Sequence, residues 1–112
     1  MLSIPTHEEL LAAIGQRFTI SAHGHTVEAV LSHAPLGIPM NESFVCYSGT
    51  FELPAGVFLP QDVYRIGSPT GSAWDLLATP TQPTGDGLST LSFVVHCRID
   101  ELAQGAGSRD VQ

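Results

Sequence analysis

An antiparallel all-β domain of about six strands, a sandwich or a small barrel, with one short N-terminal helix, is the fold class this sequence predicts. Three observations lead there. Apolar residues alternate with polar ones in stretches about ten residues apart, clusters of turn-forming residues separate the stretches, and no helical pattern lies between any two of them. Parallel pairing needs crossovers of a dozen or more residues, which disfavours a parallel sheet. With 112 residues the chain has room for one domain, expected over residues 1–100, followed by a loose, small and polar tail over 101–112.

Thr6-His7-Glu8-Glu9 has the form of a capping box, in which the Thr6 hydroxyl accepts from the Glu9 amide and the Glu9 carboxylate from the Thr6 amide. A helix over about residues 7–14 follows, with Leu10, Leu11 and Ile14 on one side and Gly15 as a left-handed cap. Its expected task is to cover one end or edge of the sheet. Beyond Gly15 the period becomes two. Phe18, Ile20 and Ala22 share a face, His23-Gly24-His25 bends the chain, and Val27, Ala29 and Leu31 line a return strand, so a hairpin is predicted. The stretch from Ala34 to Asn41 reads as a loop, and Ser43 to Phe51, rich in Phe, Val and Tyr, as a third strand.

Pro54, Gly56 and Pro60 then break the chain. Gln61 to Ile66 is a fourth strand, Gly67 to Gly71 a turn, and Ser72 to Thr79 a fifth strand carrying the only tryptophan, Trp74. Pro80 to Gly87 is a second punctuated loop, and Leu88 to Ile99 a longer sixth strand alternating through Leu91, Phe93 and Val95. No fixed-period repeat suggests a solenoid or propeller.

Composition narrows the partners. Charged residues make up 13% of the chain, and the four basic ones (Arg17, Arg65, Arg98 and Arg109) face eleven acidic ones for a formal charge of −7. Phosphate backbones and anionic membrane surfaces are repelled by such a chain, so neither nucleic acid nor membrane is expected as a partner. The N-terminus, with Glu8 and Glu9 among its apolar residues and no basic start, is not a secretory or transit signal, and no apolar run approaches bilayer-spanning length. A soluble, cytoplasmic protein is expected, and release or assembly outside the cell without a signal peptide is compatible with that.

Chemistry-bearing patterns are sparse. His23 and His25, with His33 as a third ligand, are the candidates for a metal site, although Gly24 between the first two favours a solvated turn. No Gly-x-Ser-x-Gly, dinucleotide or phosphate-loop spacing occurs, and Asp86 in Gly85-Asp86-Gly87 lacks the further ligands of a calcium loop. Cys97 and His96 are adjacent and point to opposite faces of a strand, whereas Cys46 could meet His96 only if their strands pair. Both cysteines sit in apolar runs and read as buried thiols; a disulfide between them requires neighbouring strands at suitable spacing. No cofactor is expected. The remaining feature is Val57-Phe58-Leu59 between Pro54 and Pro60, an apolar triplet that is either tucked under the sheet or offered to a partner, with Phe58 as the anchor if exposed.

From Phe44 to Pro80 the chain resembles a bacterial family, the domain of unknown function numbered 6916. The likeness lies in a strand opening with Phe44, a link ending in Leu59-Pro60-Gln61, Tyr64-Arg65-Ile66, a turn with Ser68-Pro69 and Gly71, the strand Trp74-Asp75-Leu76-Leu77 closing at Pro80, a Gly-Asp-Gly loop and a last strand with Phe93. The N-terminal helix and Gly15-Gln16-Arg17-Phe18 fit as well, so the resemblance covers about residues 8–97. Asp62 departs from it, standing where the family has glycine, and so do the two strand cysteines. The resemblance transfers no catalytic residue; it implies a small accessory protein associated with phage-tail-like assemblies.

Together these readings favour a non-enzymatic interaction or structural module: an accessory subunit, adaptor or chaperone of a phage-tail-like or filamentous assembly, binding a protein partner or itself through Val57, Phe58 and Leu59. The alternatives are a small-molecule or carbohydrate binder using Tyr64 and Trp74 for stacking, and a metal-dependent enzyme using the His23 and His25 region.

Overall fold

The computed structural model describes residues 4–38 and 41–98. The predicted tail over 101–112, and Ile99 at the end of the predicted last strand, lie outside the described residues. The elements are α1 (His7–Ala12), β1 (Arg17–Ala22), β2 (His25–His33), β3 (Phe44–Glu52), β4 (Asp62–Gly67), β5 (Ala73–Thr81) and β6 (Thr90–Arg98).

Of the two architectures left open by the sequence, the chain adopts the barrel. All neighbours are antiparallel, and the strands close in the order β1-β2-β3-β6-β5-β4, with β4 returning to β1 through Thr19↔Gly67, Ile20↔Ile66 and Ser21↔Arg65. Closure leaves no strand at a sheet edge along its whole length, and so answers the hazard that open sheets carry.

The capping box is present: the Glu9 amide donates to the Thr6 hydroxyl at 3.1 Å and the Thr6 amide to the Glu9 carboxylate at 2.9 Å. The helix stops at Ala12, two residues short of the expected end, because the Ala13 amide turns back to the Leu10 carbonyl. Only Leu10 is buried, whereas Leu11 and Ile14 are exposed, so one leucine rather than a three-residue stripe fixes the helix on the barrel. Two polar contacts hold this segment down: the His7 imidazole Nε2–H donates to the Ala34 carbonyl at 2.7 Å, and the Tyr47 hydroxyl donates to the Pro5 carbonyl.

At the opposite end, His23 and Gly24 have φ of 53° and 81° and join Ala22 to its partner His25 in a two-residue turn. Two positive φ values in succession match the right-handed twist of the flanking strands. The interior is packed, not hollow. Phe18, Ile20, Leu31, Tyr47, Phe51, Ile66, Leu91 and Phe93 are all essentially inaccessible, and Phe51 touches Phe18 edge-on at 5.2 Å and Phe93 at 5.9 Å between ring centroids.

Two stretches read as loops take part in pairing. Pro80 and Thr81 extend β5 and face Leu91 and Thr90 of β6. Leu36 bridges Tyr47, with the Gly37 amide bonded to the Cys46 carbonyl and the Ser48 amide to the Pro35 carbonyl, so the predicted loop runs alongside β3.

Candidate functional site

The histidines do not converge. His25 and His33 sit at opposite ends of β2, eight positions apart, which is roughly 25 Å of extended chain. His33 turns its Nδ1 to the neighbouring Ser32 hydroxyl, and His25 is exposed. Among the described residues no three His, Cys, Asp or Glu side chains come together as metal ligands. His23 has a different partner: its Nε2 lies 2.6 Å from Oδ2 of Asp62, the first residue of β4. This hydrogen bond, together with the Val63 amide that donates to Oδ1, holds the Asp62 carboxyl below its ordinary pKa. Asp62 thus ties the β1–β2 turn to the start of β4 without a positive φ, since His23 is the one described non-glycine residue that has one.

A depressed carboxylate contributes stability that is complete above its unfolded pKa and is lost as pH falls through the folded one. Asp62→Asn should therefore lower the melting temperature slightly at neutral pH, where the contribution is present, and the two proteins should converge as pH falls below the ordinary carboxylate range. Melting curves of both proteins across that range check this; parallel acid limbs would mean that the pair adds nothing.

Tyr64 and Trp74, the candidate stacking residues, are 4% and 6% exposed. Their rings belong to the core rather than to an open platform. The Tyr64 hydroxyl donates to the Pro60 carbonyl, and burial, assisted by the Asp62 charge, raises its pKa. Trp74 forms part of a cleft of about 200 Å³ between α1, Phe18 and the Ser68–Thr70 turn. The Val57-Phe58-Leu59 triplet divides: Val57 and Leu59 pack partly buried against the core, whereas Phe58 is 66% exposed.

β3 and β6 pair along their full length, which sets Cys46 opposite His96 and Val45 opposite Cys97. The condition for Cys46 to meet His96 is therefore fulfilled, on the outer wall, where Phe44 stacks on the His96 ring at 5.1 Å and 8°. The Cys46 sulfur faces Gly37, where an added Cβ would come within 2.6 Å of it. Cys97 packs against the core. A one-residue offset places the two cysteines on opposite faces, so they cannot bridge.

The outer wall carries a feature that the sequence reading missed. Val63 of β4 is registered with Leu77 of β5, and one step beyond the Ala78↔Phe93 pair Leu77 lies level with Val94 of β6. These three side chains are 55%, 57% and 66% exposed and form one apolar row over three consecutive strands. On one side of the row hydroxyls of Thr50, Ser92 and Thr81 bond to one another; on the other, Arg65 pairs with Asp75 at 3.2 Å. The row was detectable in principle as apolar residues of the wrong parity: Tyr64 and Ile66, Trp74 and Ala78, and Phe93 and Val95 point inward, so their neighbours Val63, Leu77 and Val94 must point out.

Fold and surface together define a class: a small closed antiparallel barrel with a filled interior, a helical cover at one end and an apolar row on its outer wall. Residues 5–94 match the family described as Domain of unknown function (DUF6916). The chain belongs to that family. No curated protein and no solved structure matches it. No helix among the described residues is long and apolar enough to cross a membrane.

Proposed function

We propose that this protein is a non-enzymatic interaction module, an accessory subunit of a larger, tail-like or filamentous protein assembly. The observation that carries the reading is the Val63-Leu77-Val94 row. Isolated surface apolar residues are ordinary, but three in register on adjacent strands, rimmed by hydroxyls and an ion pair, have the layout of an interface core with a polar rim. Phe58 and the exposed Leu36 and Ile38 supply further apolar surface. A filled barrel interior favours work done on the outside.

The test compares wild type with the Leu77→Glu/Val94→Glu double variant, each tagged and recovered at native expression, with the eluates sized by light scattering. Wild type is expected in a stoichiometric complex, with a protein partner or with itself, that the double variant loses while its melting temperature stays within a few degrees. A strictly monomeric wild type without a partner would overturn the reading. So would a complex indifferent to the double variant and to Phe58→Glu.

A further inference from the structure

We propose that the seam between β2 and the end of β3 is a strand-addition site for an extended, positively charged segment of a partner protein. This names a partner chemistry for the interaction role above, and rests on that reading, but it uses a different wall of the barrel.

β2 runs from His25 to His33, yet it pairs with β3 only over Val30–His33, with a register shift between Leu31 and His33. Such an irregularity bends a strand away from its neighbour. Beyond Glu52 the other wall stays with β6: Leu53 is buried, and its amide donates to the Ser89 carbonyl. The walls part and leave a groove of about 380 Å³, with Glu28 and Ala29 on one side and Glu52, Leu53, Pro54 and Leu88 on the other.

The main chain of β2 is turned toward this groove. Leu31 spends both its amide and its carbonyl on the β1 side, donating to Gln16 and accepting from Gly15. Alternation along an antiparallel strand then directs the amides and carbonyls of Thr26 and Glu28 the other way. From His25 to Ala29, β2 has no strand partner on that side among the described residues. The facing wall offers little in return, because Pro54 has no amide hydrogen and the Leu53 amide is engaged. An open strand edge of this kind accepts an added strand, with main-chain bonds giving affinity and alternate side chains giving specificity.

The same alternation specifies the occupant. Inward side chains of an added strand would meet Ala29, Leu53 and Leu88, an apolar floor; outward ones would lie beside the Glu28 and Glu52 carboxylates. Arg17, 3.8 Å from Glu28, offsets one of those two charges. The groove remains net negative on a chain of charge −7, so it draws a segment that alternates apolar and basic residues.

The probe is the blocked peptide acetyl-Val-Arg-Val-Arg-Val-amide, titrated into the ¹⁵N-labelled full chain and followed by amide chemical shifts. Saturable shifts are expected at Thr26, Glu28, Glu52 and Leu53. Methylating the peptide amides that face β2 should weaken binding about tenfold or more, because several hydrogen bonds are lost together. The Glu28→Gln/Glu52→Gln variant should weaken it roughly three- to tenfold, and replacing Arg by Glu in the peptide should abolish it. Both substituted side chains lie at the surface, and retained spectral dispersion shows that the variant folds. No binding at millimolar peptide, or equal binding of the methylated peptide, would overturn the seam proposal. Shifts confined to Val63, Leu77 and Val94 would also overturn it while leaving the interaction role standing; loss of complexes in the Leu77→Glu/Val94→Glu comparison bears on that role alone.

Discussion

Phe51→Ala is expected to cost about 3–5 kcal/mol, the range for truncating a fully buried phenylalanine. The ring sits at the centre of the barrel with no exposure, edge-on to Phe18 and tilted against Phe93. Removing it forfeits both aromatic contacts and leaves a cavity that the barrel cannot readily collapse, since every wall strand is paired on both sides over at least part of its length. Domains of this size are stable by only about 5–15 kcal/mol. The variant should therefore melt roughly 12 °C or more below wild type, or be isolated unfolded, and thermal denaturation followed by far-UV circular dichroism reads this directly. A fall of only a few degrees would show that the interior repacks, contrary to the tight core described.

The second large effect works in the opposite sense, by adding volume. Gly49 lies opposite Phe93, and a Cβ built on it would come within 2.7 Å of ring atoms Cε2 and Cζ and 3.5 Å of Leu31 Cδ1. The phenylalanine covers the glycine across the strand pair and occupies the space a side chain would need. Because Phe93 is itself buried and set against Phe51, its ring has nowhere to go. Gly49→Ala should thus destabilise by about 1–3 kcal/mol, and Gly49→Val by more. The cause is separable from a general dislike of substitution: in a Phe93→Leu background the added methyl has room. The double variant Gly49→Ala/Phe93→Leu should accordingly lose less than the two single losses combined, by about 1 kcal/mol or more in denaturant titrations. Additive losses would place the strain elsewhere.

How far the sequence could be read depended on the reach of the interactions. The Thr6–Glu9 capping box, the His23-Gly24 bend and the inward sets Phe18/Ile20 and Leu91/Phe93/Val95 are local patterns, and the structure contains each of them. Pro80 falls among clustered turn-forming residues that read as a loop, yet it continues β5 beside Leu91, beyond Ala78, the last β5 residue paired with β4. The barrel, as against the sandwich, follows from β1 meeting β4, a contact that no local periodicity contains. The same holds for function. His23 and Asp62 are 39 positions apart and meet only because β1 and β4 are neighbours. Val63, Leu77 and Val94 are unremarkable singly and become a surface only through register. Phe58, whose setting between prolines is local, was singled out directly, although its companions Val57 and Leu59 turn back to the core.

The strand order has a consequence for how this chain could be assembled or cut. β1-β2-β3 and β4-β5-β6 are each a run of sequential antiparallel neighbours, and the two runs meet along only two joints, β3 with β6 and β1 with β4. The order is unchanged when each strand of the first run is exchanged with its counterpart in the second, as for two half-shells related by a two-fold rotation. Each half can form by short-range closure, whereas the joints bring together residues remote in sequence and must come last and slowly. The single covalent tie between the half-shells is the 53–61 link, whose tip at Ala55-Gly56 is exposed. A chain opened there would keep every hairpin intact and leave two fragments whose bare flanks match only each other.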